Sequence, residues 1–168
     1  ELFINLEISE GERYKFGSFS FEGNQILKTE RLAKQVKFKE GEIYHQEKYD
    51  QTLRDLYSAY QEESYLYARI LDKTQTQENV VNIKYQISEG IPANIHLINI
   101  EGNTKTKDKV IRRELSLVPG QRFRQSLLMR SLRDVTYLNY FSNIEPDYEI
   151  LDNGDIDLKI KVEEKPTG

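Results

Sequence analysis

The chain has 168 residues, 38% hydrophobic and 31% charged, and its eleven tyrosines and seven phenylalanines exclude a disordered segment, which is poor in aromatics. A formal net charge of −4 supplies no basic stripe for nucleic-acid phosphates, and the lack of cysteine excludes disulfides and thiolate metal sites. No run approaches the roughly 20 apolar residues of a membrane helix, and the modest apolar fraction suits two small cores better than one large one.

The first segment, Ile8-Ser9-Glu10-Gly11, returns as Ile87-Ser88-Glu89-Gly90, so residues 1–11 read as the last strand of a preceding unit. Next, Phe19 and Phe21 alternate with Ser18, Ser20 and Glu22, the period of a strand with one buried face. Gly23-Asn24 ends that strand in a turn, both residue types tolerating positive φ. Thr29 is placed to cap a first helix, with Glu30 at its positive end and Leu32 and Val36 on one face. Gly41 breaks the chain before a second helix, whose stripe of Tyr49, Leu53, Leu56, Tyr57 and Tyr60 is amphipathic. Two strands close the unit, over residues 65–71 and 80–88, with the polar run 73–79 between them as a loop.

The whole pattern then repeats. Phe21-Glu22-Gly23-Asn24 becomes Ile100-Glu101-Gly102-Asn103, 79 residues later. The same spacing carries Gly41 to Gly120 and Leu53-Arg54-Asp55-Leu56 to Leu132-Arg133-Asp134-Val135. Thr106 takes the place of a cap, and Ile111, Leu115, Leu128, Leu132 and Val135 take the core-facing positions. After the second helix the spacing falls to 75, which predicts one loop four residues shorter in the second copy. Its last strands fall at 144–151 and 156–162, joined through Asp152-Asn153-Gly154-Asp155, a hairpin signal. Complete β-α-α-β-β units are expected over residues 12–90 and 91–166, with 167–168 beginning a linker; Gly90-Ile91-Pro92 is the interdomain hinge, stiffened because proline confines Ile91 to extended conformations.

This order resembles tandem POTRA domains, the polypeptide-transport-associated modules. The likeness is carried by Phe21-Glu22-Gly23-Asn24 and Ile100-Glu101-Gly102-Asn103 at the end of the first strand, by Lys105 to Leu115 as first helix, and by Pro119-Gly120-Gln121 between the helices. Tyr137-Leu138-Asn139-Tyr140-Phe141 is similar to the passage from second helix to second strand, and Val162-Glu163-Glu164-Lys165-Pro166 to the segment that joins the last such domain to the barrel of BamA-type outer-membrane assembly factors. The resemblance implies an α+β chain, two helices on a small three-stranded mixed sheet in each unit, as the membrane-proximal pair of a periplasmic array attached to the outer membrane through a C-terminal barrel. It implies unfolded outer-membrane proteins and accessory assembly lipoproteins as partners, and neither cofactor nor metal. Two-partner secretion and organelle import transporters share the domain, and a spacer or docking scaffold is a further role it allows.

An edge strand can take up an extended client by backbone pairing. The resemblance places the second strand of each unit at the edge. Tyr65-Leu66-Tyr67-Ala68-Arg69-Ile70-Leu71 is free of proline, whereas Ile144-Glu145-Pro146-Asp147-Tyr148-Glu149-Ile150 carries Pro146 and three acids, so the first is expected to be the client edge. Residues 105–133 hold nine basic side chains (Lys105, Lys107, Lys109, Arg112, Arg113, Arg122, Arg124, Arg130 and Arg133) against Asp108 and Glu114, a candidate surface for anionic lipid or an acidic partner. Catalysis finds no support: His45 and His96 are far apart without ligand spacing, and neither a nucleophile elbow nor a P-loop is present. A KH-type RNA module would need a Gly-x-x-Gly clamp, and neither Gly41 nor Gly120 has a partner at that spacing.

Overall fold

The computed structural model describes residues 11–166. The strand expected over residues 1–11 falls almost wholly outside the described residues, as does the linker start at 167–168. The first unit runs β1 (Lys15–Glu22), α1 (Thr29–Ala33), α2 (Gln46–Glu62), β2 (Arg69–Gln77) and β3 (Val80–Ser88). The second runs β4 (Ile95–Glu101), α3 (Asp108–Arg112), α4 (Gln125–Tyr137), β5 (Phe141–Ile150) and β6 (Ile156–Glu164). Each unit is thus β-α-α-β-β, with a three-stranded mixed sheet in the order β1-β3-β2 or β4-β6-β5. The last strand lies in the middle, parallel to the first and antiparallel to the second.

Alternation explains the central strands. Val81, Ile83, Tyr85 and Ile87 of β3 are buried toward the helices, as are Ile156, Leu158, Ile160 and Val162 of β6. Each sheet meets Leu56 and Tyr60 of α2, or Leu128 and Val135 of α4, in its own core. The first core is aromatic, with Phe16 stacked on Phe38 at 4.0 Å between centroids; the second is mostly aliphatic. One polar residue of each long helix also faces inward. Thr52 accepts the Lys37 N–H and donates to the Lys48 carbonyl, and Ser131 does the same with Ser116 and Leu127. Each pins the loop after the short helix to the long one.

Several expectations need correction. The four-residue difference between copies is not in a loop: α2 has 17 residues and α4 has 13. The surplus is one turn, residues 59–62, about 6 Å of helix. The second strand starts at Arg69 rather than residue 65, and it runs straight through the polar stretch expected to be a loop. An edge strand buries little side-chain area, so polar residues are tolerated there, and the reversal is made by Glu78 and Asn79 alone, both at positive φ (48° and 60°). Thr29 and Thr106 are not caps: Lys28 and Lys107 hold those positions and make no side-chain cap bond. Helices α1 and α3 are single turns, so Val36 and Leu115 reach the core from the following loop.

The Gly-Asn turn is held by a carboxylate from the far end of each unit. Gly23 and Gly102 have φ of +87° and +89°, but Asn24 and Asn103 are not left-handed. Their amides instead donate to the Leu27 and Thr106 carbonyls, each at 2.9 Å. Glu89 then accepts the N–H groups of Gln25, Ile26 and Leu27 and the Tyr60 hydroxyl. Glu164 accepts those of Lys105 and Thr106 and the Thr104 hydroxyl. The Thr106 N–H, followed by the Thr104 hydroxyl, holds the Glu164 carboxyl down to about 2. A depressed carboxyl contributes stability that is present above its unfolded value, near 4.5, and is lost as pH falls toward 2. The protection of the Lys105 and Thr106 amides, taken as observed exchange against the intrinsic rate at each pH, is therefore expected to fall between pH 4.5 and 2, and the Glu164→Gln variant to show no such step.

Candidate functional site

Strand β2 is an edge, and its outward main-chain groups are the first feature of the site. At Ile70 those groups meet a side chain of α2: the Ile70 N–H donates to the Tyr57 hydroxyl at 3.1 Å, and that hydroxyl lies 3.3 Å from the Ile70 carbonyl oxygen. Ile70 therefore points its backbone away from β3. By the alternation of an antiparallel ladder the outward set continues at Asp72, Thr74 and Thr76. A groove of about 480 Å³ lies against the start of the strand, bordered by Tyr57, Arg69, Ile70, Leu71 and Ile87. Asp72 turns its carboxylate inward, where the Tyr49 hydroxyl donates to it. An inward charge on an edge strand discourages unintended pairing.

The matching edge, β5, differs. Ile144 pairs with Val162 as Ile70 pairs with Ile87, so the outward positions of β5 include Pro146. That edge lacks a donor where β2 has the Asp72 N–H. The acids of β5 do not simply repel: Asp147 is paired with Lys161 at 3.0 Å and Glu149 with Lys159 at 3.6 Å across the sheet.

Only part of the residues expected to form the client edge are on it. Arg69, Ile70 and Leu71 are; Tyr65, Leu66, Tyr67 and Ala68 form turns that lead into the strand. Leu66 and Tyr67 pack instead against the core of the second unit, and the Tyr67 hydroxyl donates to the Gly154 carbonyl at 2.7 Å. They belong to the joint between units. There Ser64, buried with φ +78°, accepts the Ala93 N–H at 2.9 Å. Gly90 lies against Tyr67, and Ile91 packs on Gly154, where a Cβ would stand 2.6 Å from its Cδ1 atom.

Glu62, in the extra turn of α2, completes this joint. Its carboxylate accepts the Ser126 N–H and hydroxyl, both at 2.8 Å, and two N–H groups of Arg124. It sits at the N-terminus of α4, which has no acid in its first turn. Partial burial favours the neutral form of Glu62, but the bonds from Ser126 and Arg124 outweigh it and hold the carboxyl below the usual range. One unit thus caps the helix of the next.

The nine basic residues do not form one uniform surface. Arg124 is in the joint. Arg112 pairs with Asp108 and donates to the Ile98 carbonyl on the β4 edge. Arg113 pairs with Glu114, and Arg130 and Arg133 share Asp134. Lys105 lies beside Glu164 at the turn, while Lys107, Lys109 and Arg122 are exposed. Among the described residues, no group of three or more histidine, cysteine or acidic side chains has the arrangement of a metal site.

Comparison with known proteins converges on the same architecture. The POTRA family model, described as a surface antigen variable number repeat, matches twice, at residues 14–90 and 93–165. The chain is 32% identical to the outer membrane protein assembly factor BamA of Nitratidesulfovibrio vulgaris, over 99% of this chain and 22% of that protein. It is 31% identical to BamA of Neisseria meningitidis serogroup B, over 98% of this chain and 21% of that protein. The chain thus spans about a fifth of the length of the curated relatives it matches. Among solved structures, POTRA3-5 of Haemophilus influenzae BamA superposes with a TM-score of 0.84 over 92% of this chain and 63% of that one, at 18% identity, a likeness of fold. The chain belongs to the POTRA family, as two tandem domains similar to those of BamA-type outer-membrane assembly factors.

Proposed function

We propose that the pair is a periplasmic binding module of an outer-membrane assembly factor, standing close to the membrane barrel, and that β2 receives extended segments of unfolded outer-membrane proteins as an added strand. The observation that supports this is the outward main-chain set beginning at Ile70, beside an open groove and next to Leu71, which is 56% exposed. Backbone pairing is nearly blind to side chains, which suits a receptor with many clients. The donor missing at Pro146 makes β5 the poorer edge.

A second surface fits an accessory assembly protein. On the outer face of α4, Met129 and Tyr137 are 55% and 75% exposed beside Arg130 and Arg133. Methionine, tyrosine and arginine are the residue types enriched in interfaces. The matching positions of α2 are Asp50 and Ser58, beside Gln51 and Arg54, which offer no exposed apolar side chain.

Hydrogen exchange with a peptide from an unfolded outer-membrane barrel strand tests the client site. Protection is expected at the amides of Ile70, Asp72, Thr74 and Thr76. Protection over β5 instead, or at neither edge, would reject it.

A further inference from the structure

We infer that the Tyr57 hydroxyl is a displaceable cap on the first outward position of the β2 edge, occupying the backbone of Ile70 until an extended strand competes for it. This rests on the reading of β2 as the client strand and adds the residue that controls access to it. A single hydroxyl serves both edge groups of Ile70, at 3.1 and 3.3 Å. The N–H bond at 3.1 Å is of ordinary length, but the O–H···O contact at 3.3 Å is longer than the usual 2.5–3.0 Å of such a bond. An incoming strand brings a separate carbonyl and N–H, each free to reach ordinary length, so it replaces one shared hydroxyl, with its long contact to the Ile70 carbonyl, by two separate bonds. Tyr57 is half-buried at the margin of the first core, so a change of χ1 can swing ring and hydroxyl off the strand while the helix stays in place.

The second unit gives an internal contrast. Residue 136 stands where Tyr57 does, and it is a threonine whose hydroxyl donates to the Leu132 carbonyl within α4 rather than reaching the strand. There the edge is blunted by Pro146, which removes an N–H permanently. One edge is blunted permanently and the other by a bond that can be exchanged. At β2 the capped position is the one beside exposed Leu71, where uncovered backbone would most invite unintended pairing.

The test uses the whole chain and its Tyr57→Phe variant, which keeps the ring and loses the hydroxyl. The probe is a fluorescein-labelled decapeptide of alternating threonine and valine, read by anisotropy and by amide exchange. Without peptide, the Ile70 amide is expected to exchange faster in the variant, with thermal unfolding little changed. The peptide is expected to bind the variant about fivefold more tightly, the scale of one net hydrogen bond. Equal affinity, with residues 70–76 protected in both proteins, overturns the cap and leaves strand addition standing. Peptide bound by neither protein overturns strand addition at β2, and the cap with it.

Discussion

Alanine at Gly102 will unfold the second domain under conditions in which the parent chain is folded. The residue sits at φ +89°, in the left-handed region, and a Cβ there would overlap the carbonyl oxygen of Val162. That oxygen is backbone of the central strand β6, so it cannot rotate away as a side chain could. The clash adds to a left-handed penalty of about 1–2 kcal/mol, for an expected loss of about 3–5 kcal/mol. A small domain has little more than that to lose. Gly23→Ala should do the same to the first domain, where the Ile87 carbonyl is the obstacle. Gly120→Ala is the control: its φ is +86°, yet no atom lies within 4 Å of the added carbon, so only the conformational penalty applies. Residue-resolved hydrogen exchange in urea reads each domain separately, which a single unfolding curve does not. A Gly102→Ala variant no less stable than Gly120→Ala would show that close packing against β6 is not what selects glycine.

Glu62→Ala will uncouple the domains. The change removes the carboxylate that receives the Ser126 N–H and hydroxyl and the Arg124 guanidinium, and it leaves the first turn of α4 without an acid. Loss of a helix cap and of charge-assisted bonds is expected to cost the second domain about 1–2 kcal/mol. The larger effect is on motion. With the cap, the Ser64–Ala93 backbone bond and the Tyr67–Gly154 bond all crossing the joint, the two domains should tumble as one body in 15N relaxation. In Glu62→Ala they should report two shorter correlation times, and Glu62→Gln, which keeps an acceptor, should fall between. Unchanged tumbling in Glu62→Ala would mean that the apolar contacts of Leu66, Tyr67 and Ile91 hold the joint without it.

That joint is where sequence reading went furthest astray. Tyr65 to Ala68 are apolar or aromatic and lie just ahead of a true strand, so period and composition alike extend the strand over them. What excludes them is the neighbouring domain, whose core takes Leu66 and Tyr67. The same kind of blindness hid Thr52 and Ser131, polar residues on the buried face of a helix, because only the loop they bind explains them.

The sequence by itself determined the architecture. Two copies of one pattern, period-2 runs through β1, β3, β4 and β6 and a helical stripe through α2 and α4 specify two β-α-α-β-β units, because these are local periodicities that a chain displays without folding. Only the tertiary structure decided how the units are closed, joined and guarded. The Glu89 and Glu164 clamps, the Glu62 cap, the Tyr67–Gly154 bond across 87 positions and the Tyr57 hydroxyl at Ile70 each link a side chain to a distant stretch of backbone. Every residue but proline offers the same backbone N–H and C=O, so the partner end of such a bond leaves little mark on residue identity, and the partner is set by the packing that brings the two together.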